Sequence, residues 1–252
     1  KFLEYQIKSY KEYFPFLEEF EDSILTEEMD FSTEKSNDII ESIDRVSLYI
    51  TKEDYKKLST VERNQLALNK YTQKHKKKWE VGRLYERYLG HLYETDGWEV
   101  IFVGALKGFE DMGRDLICFK GKETLIFQAK CWALDKTIHE KHVFQLFGST
   151  LSYEMENNVT PGSVKGVFAS TTKLSKVALA AADRLGIEVR QIPLNDEYPM
   201  IKCNINQDNR IYHLPFDQQY DKIKVGKNGE FYAKTVAEAE ALGFRRAKRY
   251  YG

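Results

Sequence analysis

Cysteine is scarce: Cys118, Cys131 and Cys203 are the three in 252 residues, and no two of them form a C-x-x-C pair. That excludes a disulfide framework and fits a reducing cytoplasm. Long apolar runs are missing as well. No stretch approaches the length of a transmembrane helix and no signal peptide is evident, so a cytoplasmic location is expected. Net charge is close to absent. A formal value of -1 excludes a uniformly basic surface, so any contact with nucleic acid has to come from local patches. The chain opens on Lys1 rather than Met, and its true start is expected to lie upstream. What is present is material for a core: 42% hydrophobic and 13% aromatic residues, in a length that suits one large or two smaller domains.

The most informative stretch is a pair of apolar runs around Lys120-Gly121-Lys122-Glu123. Gly121-Lys122 suits a two-residue type II′ turn, with Gly at the first central position. That turn sets a register in which Lys120 faces Glu123 and Asp115 faces Gln128. Side chains alternate along a strand, so Gln128 and Lys130 share a face. An acid, an amide oxygen and an ammonium therefore meet at one end of an otherwise apolar hairpin. Together such groups can hold a divalent metal and polarise a phosphate. Cys118 and Cys131 fall in the same two strands and read as ordinary core residues.

The wider pattern resembles the PD-(D/E)xK nuclease superfamily, and within it the Mrr-like restriction endonucleases, which replace the acid of the last tripeptide by Gln. Here that tripeptide is Gln128-Ala129-Lys130, running on into Cys131-Trp132. It follows Gly113-Arg114-Asp115-Leu116-Ile117, Gly97-Trp98-Glu99-Val100 and a helix carrying Glu86. The resemblance spans roughly residues 79–192. It implies an α/β fold, a restriction-endonuclease-like mixed sheet flanked by helices. It implies cleavage of DNA with Mg²⁺, or Mn²⁺ in its place, in bacterial restriction or phage defence. The metal would be held by Asp115, the Gln128 side-chain oxygen, the Ala129 backbone carbonyl and Glu86. Lys130 would orient the attacking water and stabilise charge on the phosphate. A homodimer or a place in a defence complex is expected. The alternative is a catalytically inactive nuclease-fold module that binds DNA or another protein.

Around this centre the chain divides into three expected parts. Residues 1–75 form a helical N-terminal region, with helices at Lys1–Leu25 and Asn37–Ile50 and a third opened by the capping box Ser59-x-x-Glu62. This part reads as a docking or dimerisation arm, or as a DNA-reading module. Residues 76–195 form the nuclease domain. The basic run Lys74–Lys78 includes Lys76 and Lys77, which are either phosphate contacts or a solvated helix face. Helix Trp79–Glu94 aligns Gly82, Glu86 and Gly90 in one stripe, and two glycines in a helix ask for a close approach to the sheet or a ligand. Glu86 on that stripe is either a site residue or a surface acid. Glu110 and Asp111, in the Gly104–Gly113 loop, are either solvent-exposed or turn-capping acids, or reach the metal if the loop folds back. In the helix from His139 to Gly148, the series His139, His142, Gln145 lacks a third zinc ligand and is read as structural or DNA-facing, like Arg114. Gln145 matches the polar position that follows the Q-x-K strand in Mrr-like chains. A buried strand, Val164–Ser170, then an Ala-rich helix and a strand after Gly186 imply a parallel crossover.

Asn195–Pro199 reads as a linker, and truncation after Pro199 is expected to leave a folded core. Residues 200–252 form a small C-terminal α+β module, of which about 201–248 resemble the SUNSET domain, with Cys203 and Phe216 where that family often has Gly. The module closes on Arg245, Arg246, Lys248 and Arg249 beside Tyr250 and Tyr251, a combination that suits nucleic acid or a solvated tail.

Overall fold

The computed structural model describes residues 44–104 and 113–247. The expected helix over Lys1–Leu25, the loop acids Glu110 and Asp111, and Lys248 and Arg249 lie outside these residues.

The described part of the second expected helix is a single 3₁₀ turn, Arg45–Leu48, where the Asp44 side chain accepts from Val46 N–H and its carbonyl from Ser47 N–H. Thr51 then caps a separate short helix, α1 (Lys52–Lys57), by accepting from Asp54 N–H. Six residues are too few to show a period, which is why this helix is silent in the sequence. Helix α2 (Thr60–Gln73) opens on the expected capping box, Ser59 and Glu62 each accepting from the other's backbone N–H. Helix α3 (Lys78–Thr95) is the helix read over Trp79–Glu94.

Five strands follow: β1 (Glu99–Phe102), β2 (Leu116–Lys120), β3 (Glu123–Lys130), β4 (Val164–Ser170) and β5 (Glu188–Gln191). They form one sheet in the order β1-β2-β3-β4-β5. The first two pairings are antiparallel and the last two parallel, as the crossover pattern requires. Helix α4 (Glu140–Asn157) links β3 to β4, and α5 (Lys176–Leu185) links β4 to β5. The β2–β3 turn has the expected register, Lys120 opposite Glu123, with φ +61° at Gly121 and Lys122 outside the left-handed region. Helix α4 runs nine residues beyond Gly148 and ends on Asn158 in the left-handed conformation.

The two faces of the sheet bury different helices. On one face Tyr85, Leu89 and Tyr93 of α3 pack on Leu116, Cys118, Leu125 and Phe127. On the other, Val143 and Leu146 of α4 and Ala178 and Ala182 of α5 pack on Ile117, Ile126 and Phe168. Mixed sheet and two-sided helices together make the restriction-endonuclease-like fold expected from the sequence.

A second sheet, ordered β8-β6-β7-β9, is built from β6 (Ile201–Asn206), β7 (Asn209–His213), β8 (Phe231–Ala233) and β9 (Arg245–Arg246), with helix α6 (Val236–Ala241) on it. It shares its core with the N-terminal helices: Val46, Ala67 and Leu68 pack with Ile201, Tyr212, Leu214 and Ala239. Asn64 Nδ2 donates to the Tyr212 hydroxyl at 2.8 Å, and Val236 N–H donates to Gln65 Oε1 at 2.8 Å.

The two glycines of α3 turn out to have different reasons. A Cβ on Gly90 would lie 2.3 Å from the Phe102 ring, whereas one on Gly82 would meet nothing within 4 Å. Gly90→Ala is therefore expected to cost about 1–3 kcal/mol through overpacking. Gly82→Ala is expected to add up to about 1 kcal/mol through helix propensity. Urea unfolding of both variants should show opposite signs; equal shifts would mean that Phe102 yields to the added methyl.

Candidate active site

The site begins where the β2 ladder ends. Leu116 is the last residue of β2 paired with β3, opposite Phe127. One residue earlier, Asp115 N–H still donates to Phe127 O at 2.8 Å, and the Asp115 carbonyl accepts from Val103 N–H at 3.0 Å. Its side chain then turns onto the neighbouring strand, where Oδ2 accepts from Ala129 N–H at 2.6 Å. Asp115 is thus held by its own backbone on two sides and by its carboxylate on a third. In an extended strand the N–H and C=O of one residue point the same way. The Ala129 carbonyl therefore also points to the β2 side, past the last rung of the ladder.

Alternation decides which face carries the chemistry. Leu116 and Phe127 belong to the α3 side and Ile117 and Ile126 to the α4 side. Gln128 and Lys130 are one and three steps on from Phe127, so both side chains project to the α4 side. Asp115 lies beyond the last paired rung, its N–H and C=O turned to opposite neighbours and its carboxylate to Ala129. Gln128 is 1% exposed, and its Nε2 donates to Gln145 Oε1 of α4 at 2.9 Å. Its own Oε1 is buried and has no hydrogen-bond partner. A buried acceptor that neither protein nor water meets costs about 1–3 kcal/mol. Gly113 closes the site from above. Its φ is +77°, and a Cβ there would lie 2.7 Å from Gln145 Nε2 and 2.8 Å from Gln128 Nε2.

Lys130 is half-buried at the end of β3, and its carbonyl accepts from Thr171 N–H at 3.1 Å. The chain beyond it is fastened by Ser170-Thr171-Thr172. Thr171 Oγ1 accepts from Trp132 N–H at 3.0 Å and donates to Trp132 O at 2.7 Å. Thr172 Oγ1 donates to Lys136 O at 2.5 Å, and Ser170 Oγ to Thr172 O at 2.7 Å. These three hydroxyls drew no attention in the sequence; their signal is a run of Ser and Thr directly after a buried strand. Cys131, beside Lys130, has its thiol pushed up by burial despite a hydrogen bond with Thr171, so it stays protonated.

The other expected site residues are placed as follows. Glu86 is half-buried on α3, the helix that covers the opposite face of the sheet. Arg114 is 6% exposed and turned inward, its Nη1 and Nη2 donating to Glu156 at 2.9 and 2.8 Å. His142 is buried, edge-on to the Trp132 ring at 5.5 Å. Lys76 Nζ donates to Thr72 O at 2.9 Å, and Lys77 is exposed at the start of α3, its N–H donating to Glu80 Oε2 at 2.8 Å. Arg245 is exposed, while Arg246 is half-buried and ion-paired with Asp217.

Among the described residues no group of three or more His, Cys, Asp or Glu side chains is arranged to hold a metal ion. The donors expected from the sequence are of another kind: the Asp115 carboxylate, which accepts from Ala129 N–H, the Gln128 amide oxygen and the Ala129 carbonyl. An all-oxygen set of this sort fits a hard divalent cation rather than a soft one.

Residues 80–196 match the family model Mrr_cat, described as a restriction endonuclease. That stretch runs from α3 to just past β5 and contains every residue of the cluster. Among solved structures, the apo form of EndoMS matches with a TM-score of 0.32 and 13% identity, over 48% of this chain and 46% of that one. The chain thus spans about half the length of that structure. No curated protein matches the chain.

Proposed function

We propose that this protein is a metal-dependent endonuclease that hydrolyses phosphodiester bonds in DNA, with Mg²⁺ as its cofactor and Mn²⁺ as a substitute. The observation that carries the reading is the buried, partnerless Oε1 of Gln128 beside a carboxylate that is fixed in place. Asp115, Gln128 Oε1 and the Ala129 carbonyl would hold the cation, while Glu86, on the helix over the opposite face of the sheet, is left outside this set. The chemistry a bound cation supplies at such a site is polarisation of the scissile phosphate. Asp115 cannot swing away from its task, because Ala129 N–H holds one oxygen and the Asp115 backbone is tied on both sides. Lys130 extends from the last residue of β3 on the same face, where its ammonium orients the attacking water and offsets charge that develops on the phosphate. Gln in place of an acid removes one negative charge, so cation affinity is weaker than at a site with two carboxylates.

The restriction-endonuclease likeness over residues 80–196 supports DNA as the substrate and restriction or phage defence as the setting. Asp115 and Lys130 retained together favour an enzyme over an inactive binding module.

The test is nicking of supercoiled plasmid with Mg²⁺, Mn²⁺, Ca²⁺ or EDTA, alongside circular dichroism. Asp115→Ala is expected to abolish nicking and keep the native spectrum. Full nicking by a folded Asp115→Ala protein would overturn the site. No cation-dependent cleavage by the unaltered protein would return the reading to a binding module.

A further inference from the structure

We infer that Gln145 is a positioning residue that decides which end of the Gln128 amide faces the site. The inference rests on the metal-dependent reading above. A glutamine amide is ambiguous: a half-turn about its last torsion exchanges an oxygen for an NH₂ group of almost the same shape. The oxygen attracts a cation and the NH₂ group repels it. Gln128 sits in the middle of a strand and is fully buried, so its chain has one path into the site, but nothing in that path fixes the sense of the amide. The fixing contact comes from the neighbouring helix, where Gln145 Oε1 accepts from Gln128 Nε2 at 2.9 Å. A half-turn of the Gln128 amide would set two carbonyl oxygens against each other.

Gln145 is exposed on α4, and two features place its backbone and its amide nitrogen. It stands on α4 between Val143 and Leu146, both fully buried, so its backbone is anchored by the core. Its Nε2 lies against Gly113, close enough that a Cβ there would sit 2.7 Å away. The order of control is therefore Gly113 and α4, then Gln145, then Gln128, then the cation. Gln145 touches neither the substrate phosphate nor the cation in this arrangement; it acts through Gln128.

The chemistry of position 145 follows from this. A glutamate there still accepts from Gln128 Nε2 and keeps the Gln128 oxygen turned to the site. A leucine accepts nothing and lets the amide rotate. A lysine donates, and so draws the Gln128 oxygen away from the site. A merely structural role would rank these variants by fit to the helix surface, not by their power to accept.

The experiment measures Mn²⁺ binding to the full-length protein without DNA, by calorimetry or by the paramagnetic resonance signal of free Mn²⁺. Thermal unfolding without metal runs in parallel. Gln145→Leu is expected to weaken Mn²⁺ binding about 10-fold or more, the usual range for removing a group that orients a metal ligand. Gln145→Lys should weaken it further, and Gln145→Glu should stay within a few-fold of the parent. Equal affinities for the parent and Gln145→Leu would overturn the inference, as would equal losses in Gln145→Leu and Gln145→Glu. Asp115→Ala separates this result from the underlying reading. If the parent binds Mn²⁺ no better than Asp115→Ala, the metal site itself is wrong and the inference falls with it. If Asp115→Ala loses Mn²⁺ while Gln145→Leu binds normally, the site stands and only the role of Gln145 is lost.

Discussion

A chain ending after Pro199 is expected to be insoluble, although the composition change at Asn195–Pro199 suggests a severable module. The reason lies in two buried charges on α3, Arg87 and Glu94. Arg87 is 9% exposed; its Nε and Nη2 donate to the two oxygens of Asp221 at 2.7 and 2.8 Å, and Nη1 donates to Pro215 O at 2.9 Å. Arg83 adds a third bond to Asp221 at 2.7 Å. These two arginines hold the Asp221 carboxyl well below the usual carboxylate range, in spite of its burial. Two turns beyond Arg87, Glu94 is 3% exposed and meets Lys202 Nζ at 3.5 Å, Val225 N–H at 3.2 Å and the Tyr232 hydroxyl. Burial pushes the Glu94 carboxyl up and the Lys202 ammonium down, so desolvation outweighs their attraction.

Removing residues 200–252 would strip both α3 charges of their partners and bare the apolar side of α2. Breaking one buried pair costs about 3–5 kcal/mol, and a whole domain holds only about 5–15 kcal/mol. The single change Asp221→Ala is expected to lower stability by about 3–5 kcal/mol in urea unfolding. Because the folded pKa of Asp221 is depressed, its contribution is present above the ordinary value of 3.8 and fades as pH falls below it. A soluble, cooperatively folding fragment ending at Pro199 would show that α3 tolerates these charges in water, and the two halves would then be independent.

The second large effect is expected at Lys130. Lys130→Met keeps the length of the stem and removes the ammonium, so packing along β3 is retained and stability should change little. The rate of cleavage should fall about 100-fold or more, near 3 kcal/mol of barrier. DNA affinity in Ca²⁺ should fall far less, since one cation among several phosphate contacts contributes little to binding. Single-turnover cleavage and fluorescence anisotropy on the same oligonucleotide give both numbers. Equal, modest losses in rate and affinity would make Lys130 a binding residue and favour the inactive-module reading.

What the sequence made legible here was local. Gly121 set the turn, and the turn set the register from Lys120–Glu123 to Leu116–Phe127. The expected pairing of Asp115 with Gln128 falls where the ladder has already broken, Asp115 N–H bonding Phe127 O instead. The capping box at Ser59 and the α3 stripe were legible for the same reason, since each is fixed within a few residues. Contacts across distance were not. Arg114 meets Glu156 42 positions away, and Arg87 meets Asp221 134 positions away. No periodicity encodes such pairs. The series His139, His142, Gln145 shows how a spacing misleads. Three residues fall about 60° short of a full turn, so the series winds around the helix. His142 is carried into the core while Gln145 reaches the site. The sense of the β6–β7 turn was also hidden: Gln207 and Asp208 take φ +47° and +65° with no glycine to announce it.

The shared core of α2 and the second sheet has a consequence for how the chain is made. Its partners are far apart, with 148 positions between Asn64 and Tyr212 and 171 between Gln65 and Val236. On the ribosome, α2 emerges first and must wait, its apolar side uncovered, until β6, β7 and α6 have been synthesised. The five-stranded sheet between them can assemble in the meantime from nearer neighbours and bring the two ends together. It would then act as a template that shortens the loop the ends must close. Changes that slow the assembly of this central sheet would lengthen the time during which α2 is exposed to aggregation.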